Sequence, residues 1–276
     1  MPAPNATLFS QLAKMNFCAK QIKLPMDWED KGEQYDDAFN ASEKKVAPNS
    51  PTTLFREATL NKFHADAAKE MSQAFEKYID GICSAISTGI TQWLGQASIT
   101  GAIVNGPVGM MTPGNVIGPP LAPLILSTAP KTSPQETKFS NAIANALGTA
   151  WQSWHSGLTG QLMYPAFAAF PGPIAPPTPN VPLPLIAYAS PGEAALSPST
   201  LKSAMEANLG DPQALHAADL FDAIATAFNS VFIIFKTSTQ VKLVLGTGPI
   251  PTFAPPFVPV GPVVGGIGTG APGCLM

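Results

Sequence analysis

Three stretches of this chain align without a gap: Asp80-Gly-Ile-Cys-Ser-Ala-Ile-Ser-Thr-Gly-Ile-Thr-Gln-Trp93, Asn141-Ala-Ile-Ala-Asn-Ala-Leu-Gly-Thr-Ala-Trp-Gln-Ser-Trp154 and Asp222-Ala-Ile-Ala-Thr-Ala-Phe-Asn-Ser-Val-Phe-Ile-Ile-Phe235. The matching columns are Asp80/Asn141/Asp222, Ile82/Ile143/Ile224, Ala85/Ala146/Ala227, Thr88/Thr149/Ser230 and Trp93/Trp154/Phe235. In the first copy Ile82, Ala85, Ile86, Gly89, Ile90 and Trp93 recur at i, i+3, i+4, i+7, i+8 and i+11. That spacing draws one apolar stripe down a helix of 3.6 residues per turn. Each stripe has to be buried, and the closing aromatic brings the largest area to it. An internal repeat of this kind governs the reading of everything around it.

Beyond each helix the period drops from 3.6 to 2. In the third copy Val241, Leu243 and Leu245 alternate with Gln240, Lys242 and Val244, and Gly246-Thr-Gly-Pro249 is expected to turn the chain. In the first, Ile99, Gly101 and Ile103 hold the same offsets and Asn105-Gly106-Pro107 gives a strong hairpin signal. The second has Gly160, Leu162 and Tyr164, with the turn displaced to Pro171-Gly172-Pro173. Each unit then carries a diproline: Ile117-Gly-Pro-Pro120, Ile174-Ala-Pro-Pro177 and Phe253-Ala-Pro-Pro256. Proline cannot donate to a ladder, so these segments are expected at edges or as extended chain.

The expected fold is therefore α+β: three pseudo-repeats of helix, β-hairpin and Pro-Pro segment, arranged about a pseudo-threefold axis. The copies span about 57–125, 134–185 and 218–265, with a helical insert at about 190–212 and the whole repeat domain covering 56–276. Within the insert a helix is expected from Ser199 to Leu209, between Pro198 and Gly210, with Ser199 as its cap. The helix of copy one starts near Glu57 and runs about ten turns. Residues 1–55, with Pro2, Pro4, Pro25, Pro48 and Pro51, read as an extended N-terminal arm laid on a neighbour or on the chain's own body.

Charge separates the two parts. Lys, Arg, Asp and Glu make up 12% of the 276 residues, about half the usual share, and 22 of the 33 lie in residues 1–80. A solvated surface usually carries roughly a quarter to a third charged residues, so a body this poor in charge is expected to be covered by partners. With a net charge of -3 and a single arginine, Arg56, there is no basic stripe for nucleic acid. The start of the sequence, Met-Pro-Ala-Pro-Asn-Ala-Thr, has no signal-peptide pattern, which points to synthesis in the cytoplasm without a leader. The apolar run Ala223–Phe235 is shorter than a membrane span, which argues against a membrane.

Nothing in the sequence assembles a reaction centre. His64, His155 and His216 each stand alone, and Cys18, Cys83 and Cys274 form no paired spacing; Cys83 reads as a small buried apolar residue. Ser199-Thr-Leu-Lys202 has the SxxK spacing of some acyl enzymes without their companion motifs. Gly246-Thr-Gly248 and Gly265–Gly270 do not lead into a helix as a phosphate cradle must. The expectation is a non-enzyme with no cofactor, no metal and no small-molecule substrate. Stiff apolar extended segments lose little entropy on ordering, which suits them to lying along another chain. Trp28, Phe253, Phe257, Val258, Val260 and Val263 are the candidate interface residues, facing other subunits or copies of this chain.

The segment Val244-Leu-Gly-Thr-Gly-Pro-Ile-Pro-Thr-Phe-Ala-Pro-Pro256, with its echoes after the first two helices, resembles uncharacterised structural proteins of tailed phages and contractile injection particles. The resemblance implies a virion or contractile-tail component, located in a virion or extracellular particle. Two alternatives stand beside it: a membrane-active or pore-forming protein, and a secreted enzyme or toxin with an unrecognised site.

Overall fold

The structure, a computed structural model, describes residues 3–21, 60–254 and 258–276, with the backbone alone at 60–69, 253–254 and 258–259. It divides into two compact units, Met1–Lys20 with Ile79–Met276, and Gln21–Tyr78. The described part of the smaller unit is chiefly the first turns of helix α2 (Leu60–Gln96). The larger unit is α+β, with antiparallel sheets throughout.

The three expected stripes are buried. Trp93 at the end of α2, Trp154 in α4 (Pro134–Ser156) and Phe235 in α6 (Ala217–Ser238) are each 0–1% exposed. The helix ends converge on one aromatic cluster. Trp93 meets Trp151 edge-on at 5.2 Å, Trp151 lies 4.7 Å from Trp154, and Trp154 meets Phe232 at 5.0 Å. Local sequence sets where these helices begin and stop. Ser133 and Glu136 form a reciprocal capping box ahead of Pro134, satisfying donors that a helix start leaves open. Shorter helices pack on the three: α1 (Ala6–Cys18) on α6, α3 (Leu121–Leu126) on α4, and α5 (Pro198–Leu209) on both α4 and α6. A methyl group on Gly89 would stand 3.0 Å from the Ile125 side chain, and one on Gly148 2.8 Å from that of Ala122. The small residues of α2 and α4 are what let α3 come so close.

Helix α1 corrects the expectation of an extended arm over its residues. Asn5 caps it by accepting from the Leu8 N–H at 3.0 Å, and Phe9 and Ala13 are fully buried. The insert helix is found as expected, ending at left-handed Gly210, but it is preceded by Ser197 as N-cap, so Ser199 lies inside its first turn.

The strands are β1 (Ser98–Asn105), β2 (Val108–Met111), β3 (Val116–Ile117), β4 (Gly160–Met163), β5 (Phe170–Pro171), β6 (Ile174–Pro179), β7 (Leu183–Pro184), β8 (Gln240–Val241), β9 (Val244–Pro249), β10 (Phe253–Ala254), β11 (Val258–Gly261) and β12 (Gly266–Gly270). Six follow one path, β4-β2-β1-β12-β9-β6, with β3 beside β1. A bridge between Met163 at the end of β4 and Val181, just beyond β6, joins the two ends; the Val181 N–H donates to Met163 C=O at 2.9 Å. The path is thereby a ring. Asn105-Gly106-Pro107 makes the expected tight hairpin between β1 and β2. Gly246–Pro249, expected as a turn, instead runs through β9, paired on both sides. Pro176 and Pro177 sit where the β6–β9 register shifts, a place where a ladder tolerates missing donors.

The alternation also differs from expectation. In copy one the buried residues are Ile99, Ala102 and Val104, and in copy three Val241, Val244 and Gly246. Between the first and second of each set the chain passes through a left-handed residue, Gly101 at φ +75° and Leu243 at φ +60°. That residue adds one position and inverts the phase, turning Ile103 and Leu245 outward. At the Leu243 kink the Asn180 side chain completes the ladder, accepting from the Val244 N–H at 2.9 Å and donating to Val241 C=O at 3.0 Å.

Inside the ring one ring system touches several strands. Methyl groups on Gly109 of β2 and Gly246 of β9 would each lie 2.9 Å from Tyr164, and one on Gly268 of β12 would lie 3.2 Å from its hydroxyl. Phe167 stacks on Tyr164 at 5.3 Å, and the Tyr164 hydroxyl donates to Val244 C=O at 3.0 Å. Burial raises the Tyr164 phenol well above its ordinary pKa, so it is a fixed donor. Two aromatics lie in the interior, and β2, β9 and β12 have glycine where they face these rings.

Candidate functional site

The consequence of that filling appears on the outer wall. A half-buried strand normally puts aliphatic residues inside and polar ones outside. Here β12, Gly266-Ile-Gly-Thr-Gly270, buries its glycines and leaves Ile267 56% exposed. In β1 Ile103 is 50% exposed, and in β2 Met110 is 44% exposed. The register sets these three side by side: Ile103 is opposite Met110 on one flank and Ile267 on the other. Gln161 of β4 continues the row beyond Met110, and Thr247 of β9 continues it beyond Ile267. Leu245 lies opposite Thr269, one step along the same wall. The stretches that build the ring, 98–117, 160–181 and 240–270, contain one charged residue, Lys242.

The row is apolar and uncharged, with Gln161 and Thr247 as the polar side chains at its ends. Cross-strand neighbours stand about 4.5–5.5 Å apart, so Met110, Ile103 and Ile267 form a continuous strip. Isolated exposed apolar residues are ordinary; here three lie in one contiguous, uncharged row.

The residues expected at an interface fare differently. Val263 is 0% exposed, packed against Gly248 and Gly266, and so is a core residue of this chain. Its neighbourhood folds back as well: β11 pairs with β5, and the Ile250 N–H donates to Pro173 C=O at 2.9 Å. Val260 is 38% exposed. Phe253 and Val258 lie in β10 and β11, with side chains outside the described residues. Trp28 and Phe257 lie outside the described residues altogether. The row on the ring wall was not anticipated. Its signal in the sequence is glycine alternating with aliphatic residues, at 244–248 and 266–270, where the glycines hold the inward phase.

Other polar groups have structural surroundings. His155 is buried, its Nδ1 3.3 Å from Val116 C=O and its Nε2 3.1 Å from the Gln152 side-chain oxygen, with its ring 5.0 Å from Trp93. Burial lowers its pKa against the opposing pull of Val116. Lys236 is buried over the Phe232 ring at 5.1 Å and pairs with Glu193. Cys83 is buried, as expected of a small apolar residue, and burial raises its thiol far above the ordinary value; burial pushes Cys274 up to about 11. His64 falls where side chains are outside the described residues. Among the described residues no three His, Cys, Asp or Glu side chains gather as a metal-holding group. A cleft of about 420 Å³ between the end of α5 and the start of α6 brings in Glu206 and Asp211, the remainder of its lining being Leu, Gly, Pro and Ala.

Helix α6, at 22 residues, is long and apolar enough to cross a membrane, which corrects the shorter span expected from Ala223–Phe235. Its stripe, from Leu220 to Phe235, packs in the core described above. Compared with known protein families, curated proteins and solved structures, the chain finds no match.

Proposed function

We propose that this chain is a non-enzymatic structural or adaptor subunit of a large protein assembly, of the kind found in virions and contractile tails. The observation that carries the reading is the ring wall, where Met110, Ile103 and Ile267 form an exposed row on a surface with one charge. Keeping such a wall in water is unfavourable, and covering it with another subunit is the simplest relief.

The unit is a triplicated helix and hairpin about a pseudo-threefold axis. Several features support this. Trp93, Trp154 and Phe235 are buried together at matching positions. The residues after Trp93, Trp154 and before Thr237 (Leu94, His155, Lys236) are also all buried despite their different chemistry. The pairing is cyclic: β2, which returns from β1, pairs with β4 of copy two; β6 of copy two pairs with β9 of copy three; β12, which returns beside β9, pairs with β1 of copy one. Internal threefold order of this kind supports the reading of a subunit in a tubular or ringed particle.

The test is sedimentation equilibrium of the full chain and of the double variant Ile103→Glu, Ile267→Glu. Carboxylates on the row should hold the chain monomeric where the parent associates, with unchanged circular dichroism. A parent that stays monomeric and soluble at high concentration sinks the reading.

A further inference from the structure

The chain holds a single Asn-Gly pair, Asn105-Gly106, in the hairpin between β1 and β2. That dipeptide reacts without an enzyme. The glycine nitrogen can attack the side-chain amide carbon of the asparagine, and no glycine side chain obstructs the approach. The new C–N bond closes a five-membered succinimide. The amide nitrogen leaves as ammonia, carrying off the proton that the glycine nitrogen gives up. Water then opens the ring on one side or the other. One product is an aspartate at position 105; the other is isoaspartate, in which the main chain runs through the former side chain and is one carbon longer.

In the folded chain one segment holds both reacting groups. Gly106 is buried, and its N–H donates to Val263 C=O at 2.6 Å. The Asn105 side chain is anchored by its Oδ1, which accepts from the Gly265 N–H at 2.8 Å. The bond from Gly265 by itself polarises the amide carbon and favours attack. What blocks the reaction is that the Gly106 nitrogen is turned to Val263 and keeps its proton there. Segment 263–265 is in turn seated on the ring: Val263 is 0% exposed, its N–H donates to Phe167 C=O at 3.2 Å, and the Val264 N–H donates to Pro249 C=O at 3.0 Å. The next residue, Gly266, pairs with Val104 and begins β12. Asn105 itself is exposed, so water reaches it.

We propose that Asn105-Gly106 is a spontaneous deamidation site gated by segment 263–265, closed while the segment is docked and open when it lifts. The gate holds whether or not the chain assembles. Neither product is neutral for the ring. Aspartate adds a carboxylate to stretches that otherwise hold one charge, Lys242. Isoaspartate lengthens the chain at the turn that sets the β1–β2 register, in which Ile103 stands opposite Met110. A copy whose ring stays open at 263–265 is therefore chemically marked, and a copy that closes promptly keeps its asparagine.

The test is a time course of the full chain at mildly alkaline pH, folded and in concentrated urea. Peptide mapping reads the amide-to-acid mass gain at Asn105, and enzymatic methyl labelling reads isoaspartate. Conversion at Asn105 should run at least tenfold faster in urea than in the folded chain. Three variants then separate the gate from general instability. Val263→Ser loosens the segment, and Gly265→Ala strains it at a φ of +65°. Trp154→Phe instead disturbs the helix cluster. Under native conditions the two segment variants should convert several-fold faster than the parent, with Trp154→Phe close to parental. Circular dichroism checks that each is folded, and Gly265→Ala carries the comparison if Val263→Ser is not. Equal rates for the folded and urea-treated parent overturn the gate. So does a Trp154→Phe chain that speeds up as much as the segment variants, since opening is then global. No conversion at Asn105 in urea removes the site itself.

Discussion

Gly101 and Leu243 stand eight residues past Trp93 and Phe235, and both adopt the left-handed conformation that flips the strand behind them. The backbone geometry is shared while the side chain is not. A β-carbon in that region costs roughly 1–2 kcal/mol, which glycine avoids. Gly101→Leu should therefore lower stability by about 1–2 kcal/mol in urea unfolding, whereas Leu243→Gly should leave it unchanged or raise it. Equal losses at both sites would show that the Leu243 side chain, 52% exposed, holds the kink by contact. His155 gives a second prediction. Its folded pKa is depressed by burial, so the unfolded chain binds the proton first. Stability is then full above about pH 6.5 and falls as the pH drops below that value toward the folded pKa. His155→Leu, which copies Leu94, should flatten this dependence between pH 7 and 5, read from denaturant midpoints at each pH.

At the scale of elements, the helices were legible and the strands only half so. A 3.6-residue stripe survives local irregularity because each turn repeats the same information, and Ile82, Ile86, Ile90 and Trp93 all fell in the core. Trp154→Ala should cost about 3–5 kcal/mol in thermal or chemical unfolding, because it opens a cavity among Trp151, Phe232 and Phe235. A loss below 1 kcal/mol would mean that the cluster collapses freely around the gap. Period-2 alternation has no such redundancy: one left-handed residue reverses every side chain after it. Counting from Val241 to Leu243 and Leu245 crosses that residue, which is why the aliphatic side chains of the wall were assigned inward. Helix α1 was obscured differently. Pro2 and Pro4 precede the cap, where proline does no harm to a helix, and a stripe of Phe9 and Ala13 is too short to stand out.

For the whole molecule, the α+β class and the antiparallel character follow from composition and spacing, but the ring does not. Its closure depends on Asn180 and Val181, on Tyr164 as filler, and on glycines at inward positions of three strands, none of which declares itself locally. The interface residues chosen from the Pro-rich tail were drawn by composition, and Val263 shows the weakness of that reasoning: an apolar residue among prolines can be folded under its own strands. Burial is decided by partners distant in sequence, and the wall row Met110–Ile103–Ile267 joins residues more than 150 positions apart. A chain ending at Gly265 should lose β12, open β1 and β9 to solvent, and sediment as heterogeneous aggregates. A soluble monomer of that length with parental circular dichroism would show that the ring is not the stabilising unit.

The place of β12 also bears on how the protein comes to exist. Strands β1 and β9 never touch their partner until residues 266–270 have left the ribosome, well over a hundred residues after β1 itself. Until then the β1 edge is bare, joined late by that of β9, and such edges recruit other chains. In the folded chain both of these edges are paired. Helices α2, α4 and α6 are complete earlier and can bury their stripes while the sheet waits. Exposed backbone edges therefore belong to the growing chain, and β12 removes two of them at once by pairing with both β1 and β9.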